Sequence, residues 1–213
     1  MTGSVDATVA LFLPTDWCDV LIDDGGDPRA QVESVLARTW PSCPAHLRET
    51  SIDVLVRWRQ DMQARGAFSH GIVSASTDEG APVNWHVVTS VVALPPEPEI
   101  DLAQLLARSI GETRQDVLHV EAFDTEMGGG LGLVSLREAQ FPPELAALGR
   151  PIPENPGSLA MAAALSYTPG TTYALLVVGL GAAPDQVLEL AALVAVIAGR
   201  SRLVPATEGR TGR

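Results

Sequence analysis

Four histidines, His46, His70, His86 and His119, are the side chains best suited to hold a metal or move a proton. No two of them stand at HxH, HxxxH or HExxH spacing, so a metal centre would need contacts that only the fold could make. His119 and Glu121 alternate along an apolar run and would share one strand face. Two ligands are too few for a metal site, and they read as members of a cross-strand polar pair. Cys18 and Cys43 lack CxxC spacing, which argues against zinc or a redox motif; they would pair only if the fold brought them together, and Cys18 lies between Trp17 and Asp19, acidic company for a nucleophile. No GxSxG elbow is present. Gly128-Gly129-Gly130-Leu131-Gly132 has the glycine density of a phosphate loop. However, Leu133-Val134 continues as strand, and no GK[S/T] ending follows, so it reads as a turn or a glycine-rich strand entry. The expectation is a protein without catalytic residues, metal or cofactor.

The four tryptophans stand out in a chain that is 5% aromatic. Trp58 falls on a helical apolar stripe and belongs to a core. Trp40 ends a helix before Pro41, and Trp17 follows a Pro-Thr-Asp turn. Exposed tryptophans anchor partners, which makes Trp40 and Trp17 the partner-binding candidates.

The elements that would position these residues are clearest near the C-terminus. Ser158–Tyr167 and Thr172–Leu180 are uncharged runs around Thr168-Pro169-Gly170-Thr171. Proline presets φ and glycine accepts the positive φ of a type II turn, so the segment predicts a hairpin of strands buried on both faces. Pro184–Ala198 predicts a helix with Val187, Leu190, Leu193/Val194 and Ile197 inward. Gly199 would take the C′ position. The uncharged span is cut by Pro169-Gly170 into pieces too short to cross a membrane, so no membrane insertion is expected.

Upstream, Ala7–Pro14 and Cys18–Ile22 lean toward strand. Asp27 is placed to cap a helix over Pro28–Trp40 with Val32, Val35 and Leu36 inward. Ala45–Ala64 predicts an amphipathic helix carrying Leu47, Ser51, Val54/Leu55, Trp58 and Met62 on one face, with Arg48, Glu49, Arg57, Arg59, Gln60 and Asp61 largely elsewhere; Gly66 ends it. Phe68–Ser76 and Val83–Leu94 predict a hairpin around residues 77–82. Asp101 caps a short helix to Ser109. Asp116–Phe123 and Leu131–Arg137 predict two further strands. The Pro-rich stretch Phe141–Gly157 predicts a loop with one helical turn at Pro143–Leu148. Helices bunched between runs of antiparallel strands give an α+β fold, a single twisted antiparallel sheet packed by helices.

With 213 residues, 46% of them apolar, the chain suits one domain over residues 1–213, with flexible tails at 1–6 and 204–213. The formal charge of −12 speaks against nucleic acid. All 14 basic residues are arginine, which points to a GC-rich, actinobacterial source. The N-terminus lacks a basic segment and a long apolar segment, so a cytoplasmic location is expected.

Three patterns carry a resemblance: Leu13-Pro14-Thr15-Asp16-Trp17, Asp78-Glu79-Gly80-Ala81-Pro82-Val83 at a hairpin tip, and Tyr167-Thr168-Pro169-Gly170-Thr171 before the terminal strand and helix. They resemble a group of short actinobacterial proteins, some encoded beside type VII secretion genes. That group is similar to PsbP-like folds, an antiparallel sheet between helices in an α/β/α sandwich. The resemblance implies a non-enzymatic module that binds a protein partner, as an adaptor or chaperone at a secretion locus. The residues also allow a small-ligand or lipid-binding domain with a pocket between the sheet and the Ala45–Ala64 helix, or an acidic immunity-type inhibitor of a basic toxin.

Overall fold

The structure, a computed structural model, describes residues 7–21, 25–76, 82–94, 101–109, 117–138 and 157–205. It contains strands β1 (Ala7–Ala10), β2 (Cys18–Asp19), β3 (Ala67–Ser76), β4 (Pro82–Ala93), β5 (Val117–Phe123), β6 (Gly129–Glu138), β7 (Ser158–Tyr167), β8 (Tyr173–Gly181) and β9 (Arg202–Pro205). The helices are α1 (Pro28–Thr39), α2 (Ala45–Ala64), α3 (Leu102–Ser109) and α4 (Val187–Arg200), the last entered through a 3-10 turn at Pro184–Gln186. The class is α+β, as the sequence predicts.

Seven strands form one antiparallel sheet in the order β2-β3-β4-β8-β7-β6-β5, and β1 pairs with β9 in a separate ribbon. The β7–β8 hairpin is its centre. Gly170 takes φ +85, and Thr171 N–H bonds Thr168 C=O at 3.1 Å, closing the turn that Pro169-Gly170 dictates. The alanines of β7 admit helices on both sides. Ala160, Ala162 and Ala164 face α4, with Leu190, Val194 and Ile197 packed among them. Ala163 and Leu165 face α3 through Leu106 and Ala107. Gly179 lets α4 come closer still, since a Cβ there would stand 2.6 Å from Val194 and 2.8 Å from Leu190. On the α3 side, α1 and α2 cover β2–β4, burying Val32, Val35, Leu36 and Ile52 against Val20 and Ile72.

Asp27 caps α1 by accepting from Arg29 N–H, and Asp101 caps α3 by accepting from the amides of Ala103 and Gln104, each at 3.1 Å. The hairpins β3–β4 and β7–β8 pair antiparallel, and β6 begins at Gly129, within the glycine-rich run read as a strand entry.

Four local expectations are corrected. Gly199 is not C′: α4 runs on to Arg200 and ends at extended Ser201, whose hydroxyl accepts from Phe12 N–H at 2.9 Å. Val204 and Pro205 are not tail; they pair with Thr8 and Ala7. On α2 the buried face is rotated: Ile52 and Arg59 are buried, and Val54 is 50% exposed. Arg59 is tolerated inside because its guanidinium bonds Gln31 of α1. The second N-terminal strand is only two residues long, although Val20 N–H still bonds the His70 carbonyl at 2.7 Å; its expected end at Ile22 lies outside the described residues. The expected tails at 1–6 and 206–213, the hairpin tip at 77–81 and the helical turn at Pro143–Leu148 lie outside the described residues.

Candidate functional site

The β3–β4 register sets His70 opposite Val88 and Ile72 opposite His86. The two histidines are therefore diagonal neighbours on one face, the face that α2 covers. Their rings meet, His70 Nε2 to His86 Nδ1 at 3.2 Å. Trp58 of α2 lies against both, with ring centroids 4.4 Å from His70 and 5.4 Å from His86. Burial pushes His70 down to about 3, helped by the neighbouring His86 ring, and pushes His86 down to about 4. Both imidazoles are neutral at ordinary pH, so one ring nitrogen donates and the other accepts. The nearby Asp19 carboxylate is engaged by backbone and hydroxyl groups, accepting from Leu21 N–H at 2.8 Å and Ser69 Oγ–H at 2.5 Å.

Two cavities flank this trio. One, of about 420 Å³, lies between the end of α1, the first half of α2 and the β3–β4 pair. Leu36, Leu47, Leu55 and Ile72 supply apolar walls, while Thr39, Thr50, Ser51, Asn84 and His86 add polar groups. Thr50 and Ser51 put short side chains on its lining, and Asn84 Nδ2–H bonds the Thr39 carbonyl at 3.2 Å, tying the end of α1 to β4. The other cavity, of about 690 Å³, runs under the second half of α2, where Trp58, Met62, Val88 and Leu176 meet Arg65 and Arg137. Trp58 lines one cavity and His86 the other, so their ring contact stands between the two.

The predicted residues fall in different places. Trp40 is 37% exposed and lines the smaller cavity, as does His46. Trp17 lies over Gly71 and donates its indole N–H to Asp19 at 3.3 Å. His119 is remote and exposed, 3.5 Å from Glu121 of its own strand; the pair lies within one strand and does not cross between strands. Cys18 and Cys43 are free thiols in the α1–α2 core. Among the described residues no three His, Cys, Asp or Glu side chains gather as metal ligands would. Sequence reading missed the His70–His86 pair. The signal was there in principle, since both lie on the two arms of one predicted hairpin.

A neutral histidine pair with no carboxylate on it is a poor base at neutral pH. What it offers an occupant of the cavity is a hydrogen bond inside apolar walls.

No protein-family model matches the chain, and no curated protein matches it. Among solved structures it is similar to LpqN, involved in cell envelope biogenesis, of Mycobacterium tuberculosis. The two share 13% identity at a TM-score of 0.43, over 96% of this chain and 88% of that one. LpqN is an actinobacterial protein, and a likeness this distant carries no functional argument.

Proposed function

We propose that this chain is a non-enzymatic binding module whose site is the 420 Å³ cavity between α1, α2 and the β3–β4 pair. The observation that carries the reading is the half-buried, neutral His86 at a largely apolar cavity. A small apolar molecule with one uncharged hydrogen-bonding group, such as a hydroxyl or carbonyl, matches those walls. A charged headgroup would be desolvated beside neutral imidazoles and is disfavoured there.

The test is native mass spectrometry of the protein as purified, then titration with a medium-chain alcohol and the matching carboxylate. The expected result is retention of the alcohol in preference to the carboxylate, and loss of that retention in Val54→Trp, which fills the mouth from an exposed position. Equal indifference to both compounds in the wild type overturns the reading.

A second reading keeps the same place and changes the occupant. Trp40 and Val54, 37% and 50% exposed, both line the cavity and suit the apolar side chain of a protein partner. The resemblance to proteins beside type VII secretion genes, with its PsbP-like fold, supports an adaptor or chaperone role in the cytoplasm. The charge of −12 fits a basic partner. Capture of a defined partner by the wild type and its loss in Trp40→Ala, with no small molecule retained, supports this version.

A further inference from the structure

One stripe of α2 faces both cavities. Leu47, Ser51 and Leu55 line the smaller one, and Trp58, Met62 and Arg65 line the larger. These positions recur at helical spacing, so the stripe that periodicity marks as the buried face is instead a wall over hollow space, while Ile52 and Arg59 are buried. The opposite wall follows one strand. Asn84 and His86 of β4 line the smaller cavity, and Val88, Ser90 and Val92 line the larger. Alternate residues of a strand share a face, so these five form one row. The row and the stripe match in length: Asn84 to Val92 along β4, and Leu47 to Arg65 along α2 and its C-cap, each span about 27 Å. The two cavities are therefore halves of one trough, divided where Trp58 meets His86.

Resting on the binding reading above, we propose that Trp58 determines the shape of the molecule accepted: it bars the larger half of the trough, so that an occupant bonded to His86 carries its apolar chain on one side of its hydroxyl only. The ring centres of Trp58 and His86 stand 5.4 Å apart, and those of Trp58 and His70 stand 4.4 Å apart. A methylene chain keeps its carbons about 4 Å from the atoms on either side, so it cannot thread between rings this close. Beyond the indole, Val88, Met161, Leu176 and Val178 offer apolar walls that a second chain would fill. His86 is the last residue of the smaller half in the β4 row, so a hydroxyl bonded there sits at the divide. A terminal alcohol lays its one chain toward Asn84 and Trp40. A mid-chain alcohol has a second arm, and that arm meets the indole.

Calorimetric titration with octan-1-ol and octan-4-ol tests this, because the two isomers have the same atoms and differ only in where the hydroxyl sits. The wild type should hold octan-1-ol about tenfold or more tighter than octan-4-ol. Trp58→Ala should abolish that preference by admitting octan-4-ol, with little change for octan-1-ol. Trp58→Leu, which keeps an apolar contact on the imidazoles, should reduce the preference in part. A merely structural role for Trp58 would weaken both isomers together and leave their ratio unchanged. Circular dichroism checks that each variant is folded, and the wild-type ratio is a test that needs no variant. Equal affinity of the wild type for the two isomers, or a ratio that neither substitution shifts, overturns the proposal and leaves the binding reading standing. Retention of neither alcohol by the wild type overturns both.

Discussion

At the scale of single residues, the histidine pair has a consequence for stability. His70 and His86 titrate near 3 and near 4 when folded, against a usual value near 6.5. Because the folded values are depressed, the unfolded chain binds protons first as the pH falls. The contribution is intact above about pH 6.5 and is lost as the pH drops toward 4. Each histidine can remove on the order of 1.4 kcal/mol per pH unit in that window. Denaturation midpoints measured from pH 7 to pH 4 should fall steeply in the wild type and less steeply in His86→Gln; parallel slopes would show that the pair is not what titrates. Gly71 carries a second residue-scale prediction. A Cβ there would meet the Trp17 ring at 2.1 Å. Gly71→Ala should displace the indole and destabilise by about 1–3 kcal/mol, seen as a lower denaturation midpoint together with a red-shifted tryptophan emission. Neither role was legible from residue type: Gly71 looks like any strand glycine until Trp17 is laid over it.

At the scale of elements, caps and periodicities were readable because they are local. Asp27 and Asp101 sit where their carboxylates meet the first free amides of α1 and α3. For the eight-residue α3 the cap is a large share of what holds the first turn. Asp101→Ala should lose about 1 kcal/mol and raise amide exchange across Leu102–Ser109 ahead of the rest of the protein. Uniform exchange would show that packing of Leu106, and not the cap, holds the helix. The α2 stripe was legible only in part. Its ends matched, but its buried face turned toward Ile52 and Arg59, because α1 supplied a neighbour, Gln31, that makes a buried guanidinium tolerable. The end of α4 shows the same limit. Glycine at 199 looks like a stop, yet the Gly199 carbonyl is taken by Glu126 N–H at 2.7 Å and Ser201 meets Phe12, so the helix goes one turn position further. Partners distant in sequence satisfied groups that a local cap would otherwise serve.

At the scale of the whole molecule, the sheet joins strands far apart in the chain. His86 of β4 lies opposite Leu180 of β8, and Phe12 meets Ser201. Closing such loops before their contacts form slows folding, so refolding followed by stopped-flow fluorescence should take on the order of milliseconds to seconds, not microseconds. The order β4-β8-β7-β6 also bears on the cavities, since the second half of α2 crosses from the β3–β4 hairpin toward β8, a strand more than 100 residues downstream of it. The sequence by itself determined the central strands and the helices, the N-terminal caps of α1 and α3, and the hairpin of β7 and β8. Each of these depends on residues within a few positions of one another, through turn geometry and alternation. Only the tertiary structure decided that His70 and His86 meet, that Trp58 lies across them, and that hollows are left on either side. Register across a hairpin and the angle of a helix on a sheet depend on the packing of many remote side chains together, and no single local pattern encodes that sum.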